Sequence, residues 1–293
     1  MTGFWYRILR GCGRLFGAWF FILAARTIAC IYFLVPVRRR ESVRFYGLLY
    51  PQRSHLFHLW CTFRQFQNFT TIHTDRFLLG RGKLPRTTAS GWDKLETAMR
   101  ETGAILLMSH LGNWEMAARL LKEQNSTARM LLYMGVKEKE GVERIQKEEL
   151  RQAGIRIIGV APDAVDPLAA IEGIRCLRGG GLVSMSGDLI RQPGQTAVAV
   201  DFLGHTARLP QAPYAFALAS GAPLFAFFAL RTGHNQYHFC LEGPILVQAK
   251  SRADRANAIQ AAANQYAALL EKQLRTHPCQ WYHFERFVDR LTR

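Results

Sequence analysis

An apolar run of 23 residues near the N-terminus, residues 15–37, constrains this chain more than any other feature. A helix of about 20 apolar residues is long enough to cross the hydrocarbon core of a bilayer. Arg26 is the only charge in the run, and an arginine at mid-membrane depth costs about 2.5–3.5 kcal/mol on insertion scales. The length of the run favours a membrane-anchoring segment, whereas Arg26 weakens the case for a span. We expect residues 1–45 to form such a segment, either spanning the bilayer or lying in its interface, with a buried core helix as the alternative.

Basic residues surround this run and set the charge of the whole chain. Residues 1–64 hold ten arginines and a single acid, Glu41, and the full chain has 38 Lys+Arg against 22 Asp+Glu, for a net charge of +16. Such an excess indicates an anionic partner, which can be nucleic acid, an acidic protein or anionic membrane lipids. The arginines are interleaved with apolar residues and no zinc-finger or RNP-like motif occurs, so we predict no nucleic acid. The cluster Arg38-Arg39-Arg40 favours the cytoplasmic face of the membrane under the positive-inside rule.

The six cysteines lie far apart, without a Cys-x-x-Cys pair. This spacing argues against a disulfide framework or a cysteine zinc site and favours a reducing compartment. The histidine pair His55 and His58 has no evident third ligand, so we interpret it as helix surface. We expect no bound metal.

Residues 46–293 form the predicted catalytic-sized domain, in which helical and strand patterns alternate from residue 92 onward. Residues 104–108 form a short, fully apolar run typical of a strand buried on both faces. Alternating strands and helices predict an α/β domain built around one sheet. The predicted strands are 104–108, 155–160, 182–186, 223–230 and 237–241, and the predicted helices are 92–102, 116–124, 138–153, 167–177, 211–219 and 252–277.

The candidate chemistry follows the first strong strand, in the sequence Ser-His-Leu-Gly-Asn-Trp-Glu at residues 109–115. Open α/β sheets place ligands at the carboxyl ends of their strands, where His110 lies. A turn at Gly112-Asn113 allows Glu115 to fold back toward the imidazole, fixing its tautomer so that His110 can act as a general base. The alternative is a strand-end histidine and a helix-start carboxylate with structural roles only. No Gly-x-Ser-x-Gly elbow or phosphate loop occurs in the chain.

These motifs, in this order, resemble the bacterial lipid A biosynthesis acyltransferase family, which belongs to the lysophospholipid and glycerophosphate acyltransferases with a His-x4-Asp/Glu motif. The resemblance covers most of the chain. It rests on His110-x4-Glu115 after an apolar strand, the basic N-terminus ending in VRRRESVRFYG, the strand ending in Asp188, the FLG at 202–204 with the proline block up to Pro223, and Pro278-x-Gln280-Trp281-Tyr282.

The resemblance implies a mixed sheet flanked by helices, as in glycerophosphate acyltransferases, preceded by the membrane-associated helix. It implies transfer of a fatty acyl chain from acyl carrier protein, or from acyl-CoA, to a hydroxyl of a lipid or glycolipid on the cytoplasmic face of a bacterial inner membrane. His110 is then the general base and Glu115 its orienting group, with no cofactor. The residues expected to bind substrate are Asn113, Arg144, Arg151 and Asp188.

Two departures from the family pattern leave the acceptor open. The family usually carries Asp-Gln at the later acidic position, whereas this chain has Asp188-Leu189, and its ending QWYHFERF differs from that of lipid A enzymes. The ending is closer to relatives that acylate other molecules, in aryl-polyene, aminolipid or glycolipid pathways. A non-catalytic membrane protein on the same fold is the further alternative.

Overall fold

The computed structural model describes residues 8, 11–12, 15–79, 84–118, 129–135, 147–148, 150–152, 154–160, 167–190 and 194–288. The described part contains a large sheet, a separate two-stranded hairpin and helices on both faces of the sheet. The helices are α1 Ala18–Leu34, α2 Pro36–Leu49, α3 His55–Leu79, α4 Trp92–Glu101, α5 Pro167–Arg178, α6 Ala212–Ser220 and α7 Arg255–Thr276. The strands are β1 Arg86–Ser90, β2 Ala104–Gly112, β3 Met130–Gly135, β4 Arg156–Val160, β5 Leu182–Ser186, β6 Ala197–Phe202, β7 His205–Pro210, β8 Leu224–Gly233 and β9 Gln236–Ile245.

The large sheet has seven strands in the order β1-β9-β8-β2-β5-β3-β4. Strands β2, β3, β4, β5 and β8 run parallel, and β9 is antiparallel to β8 and parallel to the edge strand β1. Strands β6 and β7 form the antiparallel hairpin outside this sheet. The predicted α/β fold with a mixed sheet flanked by helices is confirmed.

Side chains that alternate along β2 enter two different cores, because successive residues of a strand point to opposite faces. Ile105 and Leu107 pack with the buried face of α7, and Leu106 and Met108 pack on the other side with Leu95 of α4. Both faces of the central strands are covered, which explains why β2 is a continuous apolar run rather than an alternating one. The buried stripe of α7 is Ile259, Ala263, Tyr266, Leu270 and Leu274.

The N-terminal apolar run forms α1, which packs along α3 with one face. Phe21, Ala25 and Ala29 are buried, and the Phe21 ring stacks on Phe77 of α3 at a centroid distance of 4.5 Å. Arg26 turns its guanidinium toward α3, donating to the Gln67 carbonyl and to Thr70 Oγ1 at 3.2 Å. The charge that opposes membrane insertion is therefore satisfied by protein oxygens.

Among the described residues, no single helix has both the length and the apolar character required to cross a membrane. The segments Trp19–Leu34 and Pro36–Leu49 satisfy the requirement only together, and they are bent by 83° at the break between them. The predicted boundary between residues 45 and 46 falls inside α2.

Candidate active site

Two neighbouring parallel strands, β2 and β5, bring His110 and Asp188 together at their carboxyl ends. Met108 of β2 pairs in register with Ser186 of β5, and each candidate residue lies two positions further along its own chain. Parallel strands end at the same edge, so the two side chains meet there. This is the carboxyl edge, the usual ligand-binding edge of an open α/β sheet.

The Asp188 carboxylate holds His110 at both its backbone and its ring. The His110 backbone N–H donates to Asp188 Oδ2 at 2.6 Å, and Nδ1 lies 3.0 Å from Oδ1. The Asp188 side chain is fully buried, whereas 32% of the His110 side chain is exposed. A carboxylate at Nδ1 stabilises the tautomer that carries its proton there, leaving the Nε2 lone pair as the basic position of the ring.

The surroundings keep Asp188 ionised. Burial alone raises the pKa of a carboxyl group, but the charge and hydrogen bonds of His110, with a contribution from His283, outweigh it and hold the pKa of Asp188 below its ordinary value. Burial, together with the Asp188 charge, raises the pKa of Tyr214 and Tyr266 well above the usual value. Both phenols therefore stay neutral beside the Asp188 carboxylate.

Two glycines allow close packing at the site. Gly112 has φ +80°, and a Cβ there would lie 2.2 Å from the Ala229 carbonyl oxygen of β8. A Cβ on Gly187 would lie 2.6 Å from the Tyr266 ring of α7. A side chain at Gly112 would therefore push β2 away from β8, and one at Gly187 would push the segment before Asp188 away from α7.

The described contacts of Glu115 differ from the predicted ones. Arg76 Nε of α3 lies 3.0 Å from each Glu115 carboxylate oxygen, and Arg76 Nη2 donates a further hydrogen bond to Oε2. Both side chains are buried, at 6% and 5% exposure. The expectation that Glu115 supplies the carboxylate at His110 Nδ1 therefore needs correction, because Asp188 occupies that position and the buried guanidinium of Arg76 draws Glu115 toward α3.

Asn113 is buried and caps the helical turn of residues 114–118. Its Oδ1 accepts from the Met116 N–H at 3.2 Å, and its Nδ2 donates to the Tyr237 hydroxyl at 3.2 Å. Its backbone N–H donates to the Ala229 carbonyl at 2.8 Å. Both the capping bond and the tyrosine bond hold the turn in place, so the described contacts of Asn113 are with protein.

Of the remaining predicted substrate-binding residues, Asp188 and Arg151 are described in the structure. The buried carboxylate of Asp188 contacts the His110 imidazole. Arg151 is 56% exposed and lies 3.9 Å from Glu148, one turn earlier. Arg144 lies outside the described residues, as does most of the predicted helix 138–153.

The C-terminal segment adds residues that the sequence analysis did not assign to the site. The Tyr282 N–H donates to the His110 carbonyl at 2.7 Å, and His283 places its ring edge-on to the His110 ring at 5.4 Å. His283 also stacks on the buried Trp281, and burial lowers its pKa. Gln280 clamps β8 through both the N–H and the carbonyl of Arg231. The Pro-x-Gln-Trp signature thus holds the C-terminal segment beside His110.

The described residues contain no group of three or more His, Cys, Asp or Glu side chains arranged to hold a metal ion. The chemistry that the arrangement supports is proton transfer by an imidazole whose other nitrogen is held by a carboxylate. Such a pair can activate a hydroxyl on a substrate.

A family model described as "Bacterial lipid A biosynthesis acyltransferase" matches residues 82–288. The match includes His110, Glu115 and Asp188, together with the C-terminal Gln280 and Trp281. It begins after α3, so Asp75 and Arg76 lie outside it.

Two curated relatives are similar to this chain. A phosphatidylinositol mannoside acyltransferase of Mycobacterium tuberculosis (strain CDC 1551 / Oshkosh) is 28% identical over 202 residues. The protein of the same name from strain ATCC 25618 / H37Rv is 26% identical over 204 residues. Each match covers 66% of this chain and 57% of the relative, so the alignment spans little more than half the length of either relative.

Proposed function

Because the chain belongs to the bacterial lipid A biosynthesis acyltransferase family, we propose that it transfers a fatty acyl group from a thioester to a hydroxyl of a lipid or glycolipid at a membrane surface. The observation that carries the proposal is the pair formed by His110 and Asp188 at the carboxyl edge of the sheet, with Nδ1 and Oδ1 3.0 Å apart. A family match alone does not establish chemistry, whereas this pair is suited to deprotonating a hydroxyl.

In the proposed reaction, His110 Nε2 accepts the proton of the acceptor hydroxyl as its oxygen attacks the thioester carbonyl carbon. Asp188 stays ionised and stabilises the imidazolium that forms. The tetrahedral intermediate then collapses with cleavage of the carbon–sulfur bond, and the leaving thiolate takes the proton from the imidazolium. The products are an ester and a free thiol, so no redox cofactor is needed.

The relatives support a glycolipid as the acceptor. Both relatives are named for phosphatidylinositol mannosides, which are glycolipids. We propose a sugar hydroxyl of a membrane glycolipid, and the donor is acyl carrier protein or acyl-CoA. Acyl carrier protein and coenzyme A are both anionic, which suits the net charge of +16. Arg144 and Arg151 remain proposed contacts to the anionic part of a substrate.

The exposed face of the N-terminal helices supports binding to the membrane interface. The α1 face opposite α3, the start of α2 and the first turns of α3 expose large apolar side chains: Trp19, Leu23, Ile31, Leu34, Val37, Leu56 and Trp60. We call this set the apolar surface. Isolated apolar residues are normal on protein surfaces, but a continuous patch marks an interaction site.

Arginines stand at the apolar surface with their charges beside aromatic rings. Arg38 lies over Tyr32, Arg39 over Phe33, and Arg64 over Trp60, with distances of 5.4–5.7 Å from each guanidinium to its ring centroid. An apolar face rimmed by such arginines suits the headgroup region of an anionic bilayer. We propose that α1 lies in the interface on the cytoplasmic face of a bacterial inner membrane, with Arg26 turned to the protein.

The test of the activity is acyl transfer by purified protein in detergent or anionic vesicles. Wild type and His110→Ala receive radiolabelled acyl carrier protein or acyl-CoA together with a total bacterial lipid extract, and mass spectrometry resolves the products. We expect a new acylated glycolipid with wild type and a loss of about 10²–10⁴-fold with His110→Ala, the usual contribution of a general base.

His234→Ala is the matched control, because His234 lies exposed in the β8–β9 turn. It is expected to retain wild-type transfer. Equal transfer by wild type and His110→Ala would overturn the assignment of the base. Absence of transfer from both donors to any lipid would favour the non-catalytic alternative.

A further inference from the structure

The last turn of α3 buries two adjacent charged residues, Asp75 and Arg76. Lys, Glu, Arg and Asp are seldom fully buried unless they are paired. Both residues lie outside the segment matched by the family model, which begins at residue 82. The hydrogen-bond partners of the two side chains indicate their role.

Arg76 grips the carboxylate of Glu115 in a forked arrangement, with Nε 3.0 Å from each oxygen and Nη2 bonded to Oε2. Planar guanidinium–carboxylate pairs of this kind fix orientation as well as distance. Glu115 belongs to the turn that follows His110, so the pair ties that turn to α3.

Asp75 reaches the same turn through a tyrosine. The Tyr237 hydroxyl of β9 donates to Asp75 Oδ2 and accepts from Asn113 Nδ2 at 3.2 Å. Arg231 Nε also donates to Asp75 Oδ2, at 3.2 Å, which balances the buried carboxylate. Asn113 in turn caps the helical turn through the Met116 N–H.

We propose that Asp75 and Arg76 are positioning residues for the base, acting on the turn after His110 through Tyr237–Asn113 and through Glu115 respectively. The two attachment points lie three and five residues beyond His110. The inference rests on the proposed acyl transfer for its kinetic consequence. Its structural content is the placement of the His110 ring, which is measurable without turnover.

The cleanest variant is Tyr237→Phe, which removes the bridging hydroxyl and keeps the ring that fills the core. A displacement of about 1 Å at a reacting group costs on the order of 10²-fold in rate. We therefore expect kcat to fall by about 10–100-fold while KM for the acyl donor stays within about twofold. Tyr133→Phe is the matched control, because Tyr133 of β3 likewise donates its hydroxyl to a backbone carbonyl, that of Ala169 in α5, and neither element carries the turn after His110. A kcat loss in Tyr237→Phe no larger than in Tyr133→Phe would overturn the proposal.

Double-mutant cycles separate positioning from general destabilisation. If Tyr237 acts through Asn113, the effects of Tyr237→Phe and Asn113→Ala on kcat are less than additive, whereas independent effects add. Arg76→Gln leaves the Glu115 carboxylate buried without its cation, so Arg76→Gln/Glu115→Gln should recover part of the activity lost in the single variant. If the double variant is as inactive as Glu115→Gln or worse, Glu115 is itself catalytic and the positioning role of Arg76 is overturned.

A second readout does not depend on acyl transfer. Diethyl pyrocarbonate modifies neutral imidazoles, and peptide mass spectrometry gives the rate at His110 alone. We expect the rate at His110 to change by about threefold or more in Tyr237→Phe and to stay at the wild-type value in Tyr133→Phe. An unchanged rate overturns the positioning role, even if wild type transfers acyl groups. A changed rate supports it, even if the acyl-transfer function itself fails its test.

Discussion

At the scale of residues, the site depends on which carboxylate faces His110. Asp188 contacts the ring at Nδ1 and the backbone N–H of the same residue, so it fixes the base at two points. Glu115, within the His-x4-Glu motif, contacts Arg76 instead. The motif therefore contains the proposed base and a residue that anchors its turn, while the carboxylate at the imidazole follows β5, 78 residues further along the chain.

Asp188→Asn should abolish most transfer while the protein stays folded. An amide at this position can present its NH2 to Nδ1 and favour the wrong tautomer, so we expect the single-turnover rate to fall by about 10²–10⁴-fold. Asp201→Asn, at an exposed position of β6, is the control and should behave as wild type. A rate within about twofold of wild type in Asp188→Asn would contradict the role assigned to Asp188.

His73 makes acid stability a test of the packing of α3. Burial, with a contribution from Arg76, lowers the pKa of His73 to about 4, whereas an unfolded histidine titrates near 6.5. Between these values the unfolded chain binds more protons, so the free energy of unfolding falls as pH decreases from about 6.5 to about 4, by on the order of 3 kcal/mol.

His73→Gln should flatten this part of the pH profile. Urea unfolding at pH 7 and at pH 4.5 gives the loss of stability on acidification for wild type and variant. We expect a smaller loss in His73→Gln, whatever its stability at neutral pH. Identical losses in the two proteins would mean that His73 is not buried in its neutral form.

At the scale of elements, the sequence predicts five of the seven strands of the large sheet. These are β2, β4, β5, β8 and β9, of which β4 lies at an edge of the sheet. The edge strand β1 consists of RTTAS, with no apolar run to reveal it. The strand β3 is six residues long, and short apolar runs do not distinguish strand from helix by periodicity.

The same limit applies to the candidate site. His110 and Asp188 could both be named from the sequence, but their pairing follows from β2 lying beside β5, which no local spacing reveals. Asp75 and Arg76 had no local signal at all, because their partners are on other elements. Arg76 contacts Glu115, which is 39 positions away in the sequence. Asp75 contacts Tyr237, which is 162 positions away.

The proposed membrane-binding element is the apolar surface on the exposed side of α1 and at the starts of α2 and α3. Leu23→Asp or Trp60→Asp places a charge in the apolar surface, which is costly to bury among lipid chains. We expect about tenfold weaker co-sedimentation with anionic vesicles for either variant. Leu246→Asp is the control, because Leu246 is an exposed leucine outside the apolar surface. Equal loss in the control would show that the effect is one of net charge.

At the scale of the whole molecule, the proposed vesicle binding combines the net charge of the chain with its apolar surface. In the proposed membrane binding, the net charge of +16 attracts the chain to anionic lipid at a distance, and the apolar surface holds it once in contact. Surface electrostatics are screened over about 10 Å at 0.1 M salt and about 3 Å at 1 M. Vesicle affinity should therefore fall with added salt for anionic lipid but vary little for neutral lipid. Equal salt dependence on both vesicles would indicate that charge does not steer binding.

The packing of α1 on α3 has a practical consequence for anyone who wants this enzyme in water without detergent. Cutting off the N-terminal helix strips Phe77 of its stacking partner and leaves Gln67 and Thr70 without the Arg26 guanidinium. The helix α1 therefore contributes to the packing of the protein as well as to its proposed contact with lipid. A detergent-free form is better sought by replacing the outward-facing side chains of α1 with polar ones and keeping Phe21, Ala25, Arg26 and Ala29.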